Sequence, residues 1–70
     1  MAVQTIVEAG WEEHGRFTLV GWTDDDPPAF VRYCYSPEQG WARWSRTHRG
    51  KVRPEEVPPE VIAAFSLSVN

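Results

Sequence analysis

Cysteine and lysine are nearly missing from this chain: Cys34 is the single cysteine and Lys51 the single lysine among 70 residues. One thiol excludes an internal disulfide. Joined only by His14 and His48, it also falls short of the four Cys or His ligands that a structural zinc site takes. Long apolar runs are missing too. Nothing approaches the roughly 20 residues of a membrane-spanning helix. The segment from Met1 to Gly10 has neither the basic start nor the apolar stretch of a secretory signal. A lone thiol suits a reducing compartment, so a cytoplasmic location without membrane contact is expected. Catalytic signatures are absent as well: there is no glycine-rich phosphate loop, serine elbow or metalloprotease helix. No enzymatic activity and no cofactor are expected.

What is present in quantity is aromatic surface and arginine. Seventy residues predict one small domain spanning residues 1–70, which would bury only about 60% of its unfolded surface. Without disulfide or metal, such a chain relies on large core residues or on self-association. Four Trp, three Phe and two Tyr supply the first, since each buried aromatic removes roughly 150–250 Å² from water.

Charge is sorted along the chain. Residues 1–31 set Glu8, Glu12, Glu13, Asp24, Asp25 and Asp26 against Arg16, a net of −5. Residues 32–53 set Arg32, Arg43, Arg46, Arg49, Lys51 and Arg53 against Glu38, a net of +5. Glu55, Glu56 and Glu60 close the chain at −3, so a formal total of −3 conceals a dipolar molecule. Such a charge distribution acts on solubility and docking rather than on fold.

Four strands are predicted from β-branched and aromatic runs bounded by turn residues: Val3–Glu8, Arg16–Trp22, Ala29–Tyr35 and Trp41–Thr47. Asp24-Asp25-Asp26-Pro27-Pro28 interrupts the second and third, and Ser36-Pro37-Glu38-Gln39-Gly40 suits a type I turn closed by a left-handed residue. A helical turn over Trp41–Arg46 is the competing reading of the fourth segment. Pro58-Pro59-Glu60 opens a helix over about Pro59–Phe65, with Val61, Ile62 and Phe65 on one stripe. Ser66–Asn70 would fray or add a short edge strand through Leu67 and Val69. The connections are too short for parallel crossovers. The expected fold is therefore α+β, a four-stranded antiparallel meander (β-β-β-β-α) with the short helix packed on one face. A half-open small barrel is the alternative closure.

Alternation sorts side chains onto two faces. One parity holds Phe17, Leu19, Val31, Tyr33, Tyr35, Trp41 and Arg43. The other holds Val20, Trp22, Phe30, Cys34, Ala42, Trp44 and Arg46. One short helix covers one face, and exposed apolar surface on the other would mark an interaction site. Three Gly-Trp pairs, Gly10-Trp11, Gly21-Trp22 and Gly40-Trp41, read either as glycine turns covered by an indole or as a shared aromatic platform.

The basic stretch around Trp41 and Trp44 is the candidate site. Trp, Tyr and Arg dominate binding hot spots. The expected partner-binding residues are Trp41, Arg43, Trp44, Arg46, Arg49 and Lys51, with Tyr33 and Tyr35 beside them. The competing structural reading pairs these arginines with Glu55, Glu56 or the acidic turn. The expected partner is another protein with an acidic surface, and a homodimer matching acidic to basic blocks is a further expectation. Single-stranded nucleic acid or RNA is the alternative ligand, since basic tracks hold phosphates and aromatic faces stack bases. No RRM signature, zinc finger or helix-turn-helix supports it. Asp24–Asp26 lacks the alternating pattern of a calcium loop and reads as an exposed turn. Glu12-Glu13-His14 also reads as a turn, and Cys34 as a small buried hydrophobe rather than a nucleophile paired with His14 or His48.

Overall fold

The computed structural model describes residues 2–68. Five strands follow one another: β1 (Val3–Trp11), β2 (Phe17–Thr23), β3 (Phe30–Ser36), β4 (Gly40–Trp44) and β5 (Arg49–Lys51). Each pairs antiparallel with its chain neighbour, in the spatial order β1-β2-β3-β4-β5. A 3-10 turn at Pro54–Glu56 leads into α1 (Pro59–Ser68). The antiparallel meander and its C-terminal helix are as expected. The sheet has five strands rather than four, and it stays open rather than closing into a barrel.

The fifth strand comes from a turn that the sequence reading ran through. The chain bends at Ser45, whose N–H donates to the His48 carbonyl at 2.8 Å, while the Ser45 hydroxyl accepts the His48 N–H at 3.2 Å. A serine hydroxyl that captures a nearby N–H competes with the ladder, so β4 stops at Trp44 and the chain returns as β5. At the β3–β4 turn the Ser36 hydroxyl accepts the Gln39 N–H at 3.1 Å, and Gly40 takes φ +76°, the left-handed conformation that glycine adopts without steric penalty.

β1 extends to Trp11, past the expected stop at Glu8. Its register with β2 slips at Val3/Thr5 and again at Ile6/Glu8. Each slip adds one residue, Gln4 and Val7, and so breaks strict alternation. The first bulge lays the β1 backbone directly over Gly21: a Cβ there would collide with the Thr5 carbonyl oxygen and sit 2.9 Å from Val3 Cγ1.

The core lies between the sheet and α1. Val3, Phe17, Leu19, Val31, Tyr33, Trp41, Val52, Val57 and Val61 are buried there, with Tyr35, Ile62, Ala64 and Phe65 packed against them. Register lines up Trp11, Phe17, Tyr35 and Trp41 as one row across four strands. Phe65 sits on that row with ring centroids 4.9–5.7 Å from all four. This row is how a short chain assembles a core without a disulfide. At its N-terminal end α1 is tied to the sheet through the Glu60 carboxylate, which accepts the Val3 N–H. The helix runs to Ser68 rather than ending at Phe65, because no Gly or Pro stops it and the Ser68 hydroxyl donates to the Ala64 carbonyl at 3.0 Å. Leu67 is therefore helical, and the strand expected through Val69 falls outside the described residues.

Candidate functional site

The helix covers one side of the sheet and leaves the other open. Three rows of side chains cross the open side. Trp22 stands opposite Phe30. Val20, Arg32, Trp44 and Arg49 form the second row, and Thr18, Cys34, Ala42 and Lys51 the third. Arg46 lies just beyond β4 and lines the same depression as Phe30, Trp44 and Arg49. Trp22, Phe30 and Trp44 are 42%, 50% and 43% exposed. The Trp22 and Phe30 rings meet edge to face, 5.3 Å between centroids at 75°.

Only part of the expected site lies here. Trp44, Arg46, Arg49 and Lys51 are together on or at the rim of the open side. Trp41 is 6% exposed and Tyr33 fully buried, both in the core under α1, so the expectation that Trp41 stays accessible beside Trp44 is overturned. Tyr35 is half-buried on the same helix side, its ring tilted against Trp41 and edge to face with Phe65. Arg43 faces that way too, opposite Tyr33 in the register. Its Nε and the Tyr33 hydroxyl are buried without a hydrogen-bond partner. The cause is geometric: Trp41 and Trp44 are three residues apart in one strand, an odd separation that puts them on opposite faces. The shared platform of Gly-Trp pairs fails the same way. Trp11 and Trp41 join the helix-side row, whereas Trp22 stands on the open side.

Trp22, Phe30 and Arg32 are the open-side residues that the basic-stretch reading missed. The signal was parity: Trp22 and Phe30 share a face with Trp44 once the strands are aligned.

Charge on this side is divided: Glu8, opposite Val20, and Glu12, bonded to Thr18, stand at the β1 edge, and the cations gather toward β5. Arg53 is the arginine that meets Glu55 and Glu56, at 3.9 and 3.0 Å. Its hydrogen bond lowers the Glu56 carboxyl from its ordinary value. Arg16 holds Glu12 in a two-point contact of 3.0 and 3.1 Å. With the Thr18 hydroxyl at 2.7 Å, this lowers the Glu12 carboxyl to about 2. Among the described residues Arg32, Arg46, Arg49 and Lys51 form no ion pair. The acidic turn does not reach them either: Asp25 accepts the Thr23 hydroxyl at 2.8 Å. Unpaired guanidinium groups beside exposed aromatic rings can take a carboxylate or phosphate while an apolar group covers the rings.

No family model, curated protein or solved structure matches the chain. The geometry therefore stands alone as the basis for a function.

Groups with catalytic potential lie apart from one another. Cys34 is buried in the third row, with its sulfur 3.9 Å from the Thr18 hydroxyl. A His48 ring nitrogen lies 3.2 Å from the Lys51 carbonyl oxygen. Glu12 is occupied by Arg16 and Thr18, and Glu13 and His14 are exposed in the β1–β2 turn. Among the described residues no three His, Cys, Asp or Glu side chains gather into a ligand set, and no helix is long and apolar enough to cross a membrane.

Proposed function

We propose that this chain is a non-enzymatic binding protein whose open sheet face docks an acidic surface of another protein. One observation carries the reading: Trp22, Phe30 and Trp44 are exposed on the side where Arg32, Arg46, Arg49 and Lys51 have no acidic partner among the described residues. Exposed aromatic rings ringed by arginine have the composition of an interface hot spot. Cations without internal partners steer and orient an acidic surface. The edge-to-face contact of Trp22 and Phe30 favours a protein over nucleic acid as ligand, because each ring already spends part of its surface on the other and is a poorer platform for stacked bases.

Chemical cross-linking in the native host tests this. The bait pair is the double variant Trp44→Ala/Arg49→Glu and the control Leu67→Ala, which alters the exposed helix side. Acidic proteins recovered with wild type and control, and lost with the double variant, are the expected result. Identical recovery from all three baits would reject the open side as the docking surface.

A homodimer is the second reading, supported by the charge asymmetry of the sheet. Glu8, Glu12 and Glu13 lie at the β1 end, and Arg46, Arg49 and Lys51 at the β5 end. Sedimentation equilibrium at low and moderate salt decides it, and a monomer at every concentration removes it.

A further inference from the structure

The open side contains one depression with a composition of its own. Ala29, Phe30, Trp44, Ser45, Arg46 and Arg49 line a volume of about 350 Å³. Two walls are aromatic rings that are half exposed, and two guanidinium groups complete the rim. A second depression shares Ala29, Ser45 and Arg46 with it but is closed on its far side by Asp25, Asp26 and Pro27. Arg46 thus stands between an aromatic notch and an acidic turn, without an ion pair to either aspartate among the described residues.

We infer that this notch seats a single aromatic side chain of an acidic protein segment, whose flanking carboxylates meet Arg46, Arg49 and Arg32. This rests on the docking reading above and adds the identity of what is bound. The space is too small for a helix or a hairpin and suited to one large side chain. Phe30 and Trp44 offer faces and edges that an inserted ring can pack against, which favours an aromatic over an aliphatic anchor. The carboxylates of Asp25 and Asp26 repel acidic residues on the turn side. The bound segment therefore leaves the notch toward β3 and β5, where Arg32 and Arg49 share one row and Lys51 lies on the next. Charge complementarity sets the direction, and the notch sets the anchor.

The test uses the full chain, isotope-labelled, and three probes: a blocked heptapeptide of acidic residues with phenylalanine at its centre, the same peptide with alanine there, and octathymidylate. Amide shifts report where each probe binds and how tightly. The phenylalanine peptide is expected to perturb Ala29, Phe30, Trp44, Ser45 and Arg49, and to bind about tenfold more tightly than the alanine peptide. Trp44→Ala should erase that tenfold difference, while Arg46→Glu/Arg49→Glu should weaken both peptides. Circular dichroism checks that each variant is folded. Equal affinity of the two peptides for the open side would overturn the notch while leaving the docking reading intact. Failure of both peptides to perturb the open side would overturn the notch and the docking reading together. Octathymidylate binding more tightly than the phenylalanine peptide at these residues would reassign the notch to nucleic acid and overturn the inference.

Discussion

Phe65 contacts Trp11, Phe17, Tyr35 and Trp41 at once, so its truncation opens a cavity that no single neighbour can refill. Phe65→Ala should cost about 3–5 kcal/mol, comparable with the whole stability of a small domain at about 5 kcal/mol or slightly more. The expected outcome is loss of the cooperative thermal transition, whereas Phe65→Leu keeps a transition at lower temperature. The two tryptophans of β4 give a sharper comparison. Trp41→Ala empties a core position and should cost about 3–5 kcal/mol. Trp44→Ala removes a ring that is already 43% exposed and should cost about 1 kcal/mol or less. Urea denaturation of the pair checks the faces directly, and equal losses would contradict the sheet register. Glu12 supplies a pH signature. Its carboxyl sits at about 2 instead of the ordinary 4.5, because Arg16 and Thr18 hydrogen-bond the charged form. The folded-state value is lowered, so this contact's stabilisation is fully present above about 4.5 and disappears as pH falls through about 2. Wild type should therefore lose stability across that window more steeply than Glu12→Gln, as read by thermal melts from pH 6 to pH 2.

At the scale of elements, Gly21 decides whether β1 can lie on β2. Gly21→Ala places a methyl carbon against the Thr5 carbonyl oxygen and Val3 Cγ1. Neither backbone nor a buried valine yields easily, so overpacking of about 1–3 kcal/mol is expected. Hydrogen exchange should show that loss as faster opening of β1 amides rather than of β3. The same strand marks a limit of reading from sequence. Turn residues announced β2, β3 and the helix start, because Asp-Pro-Pro, Ser-Pro-Glu-Gln-Gly and Pro-Pro-Glu each have a local backbone consequence. The bulges at Gln4 and Val7 depend on what β2 offers across the ladder, and nothing local in β1 signals them. The β4–β5 turn at Ser45 was legible in principle, but Trp41-Ala42-Arg43-Trp44 masked it by reading as a longer strand. For the site, parity had separated Trp41 from Trp44, and proximity along the chain was the wrong criterion for joining them. Arginines flank both tryptophans in sequence, yet Arg43 goes to the helix side with Trp41, and Arg46 and Arg49 go with Trp44.

For the molecule as a whole, the meander converts charge order along the chain into charge order across space. Because each strand lies beside its sequence neighbour, Glu8, Glu12 and Glu13 sit at the β1 end and the basic middle block at the β3–β5 end, while Asp24, Asp25 and Asp26 stay in the β2–β3 turn beside Arg46. A different topology would have interleaved them and cancelled the field. Arg53 is neutralised by Glu55 and Glu56, which leaves Arg46, Arg49 and Lys51, with Arg32 nearer Glu8 and Glu12, to set the potential over the β4–β5 part of the open side. Cations at an exposed rim act mainly on encounter, so they should raise the association rate with an acidic partner more than they slow its release. Raising ionic strength from about 0.01 M to about 0.15 M shortens the screening length from roughly 30 Å to roughly 8 Å. Stopped-flow mixing with the acidic phenylalanine peptide should then show association slowing by about tenfold or more, with dissociation nearly unchanged. Trp44→Ala should do the reverse, speeding dissociation while leaving the salt dependence of association in place. A salt effect confined to dissociation would mean that the cations are buried partners of the bound carboxylates rather than steering groups, and that the open side closes more completely over its ligand than its shallow relief suggests.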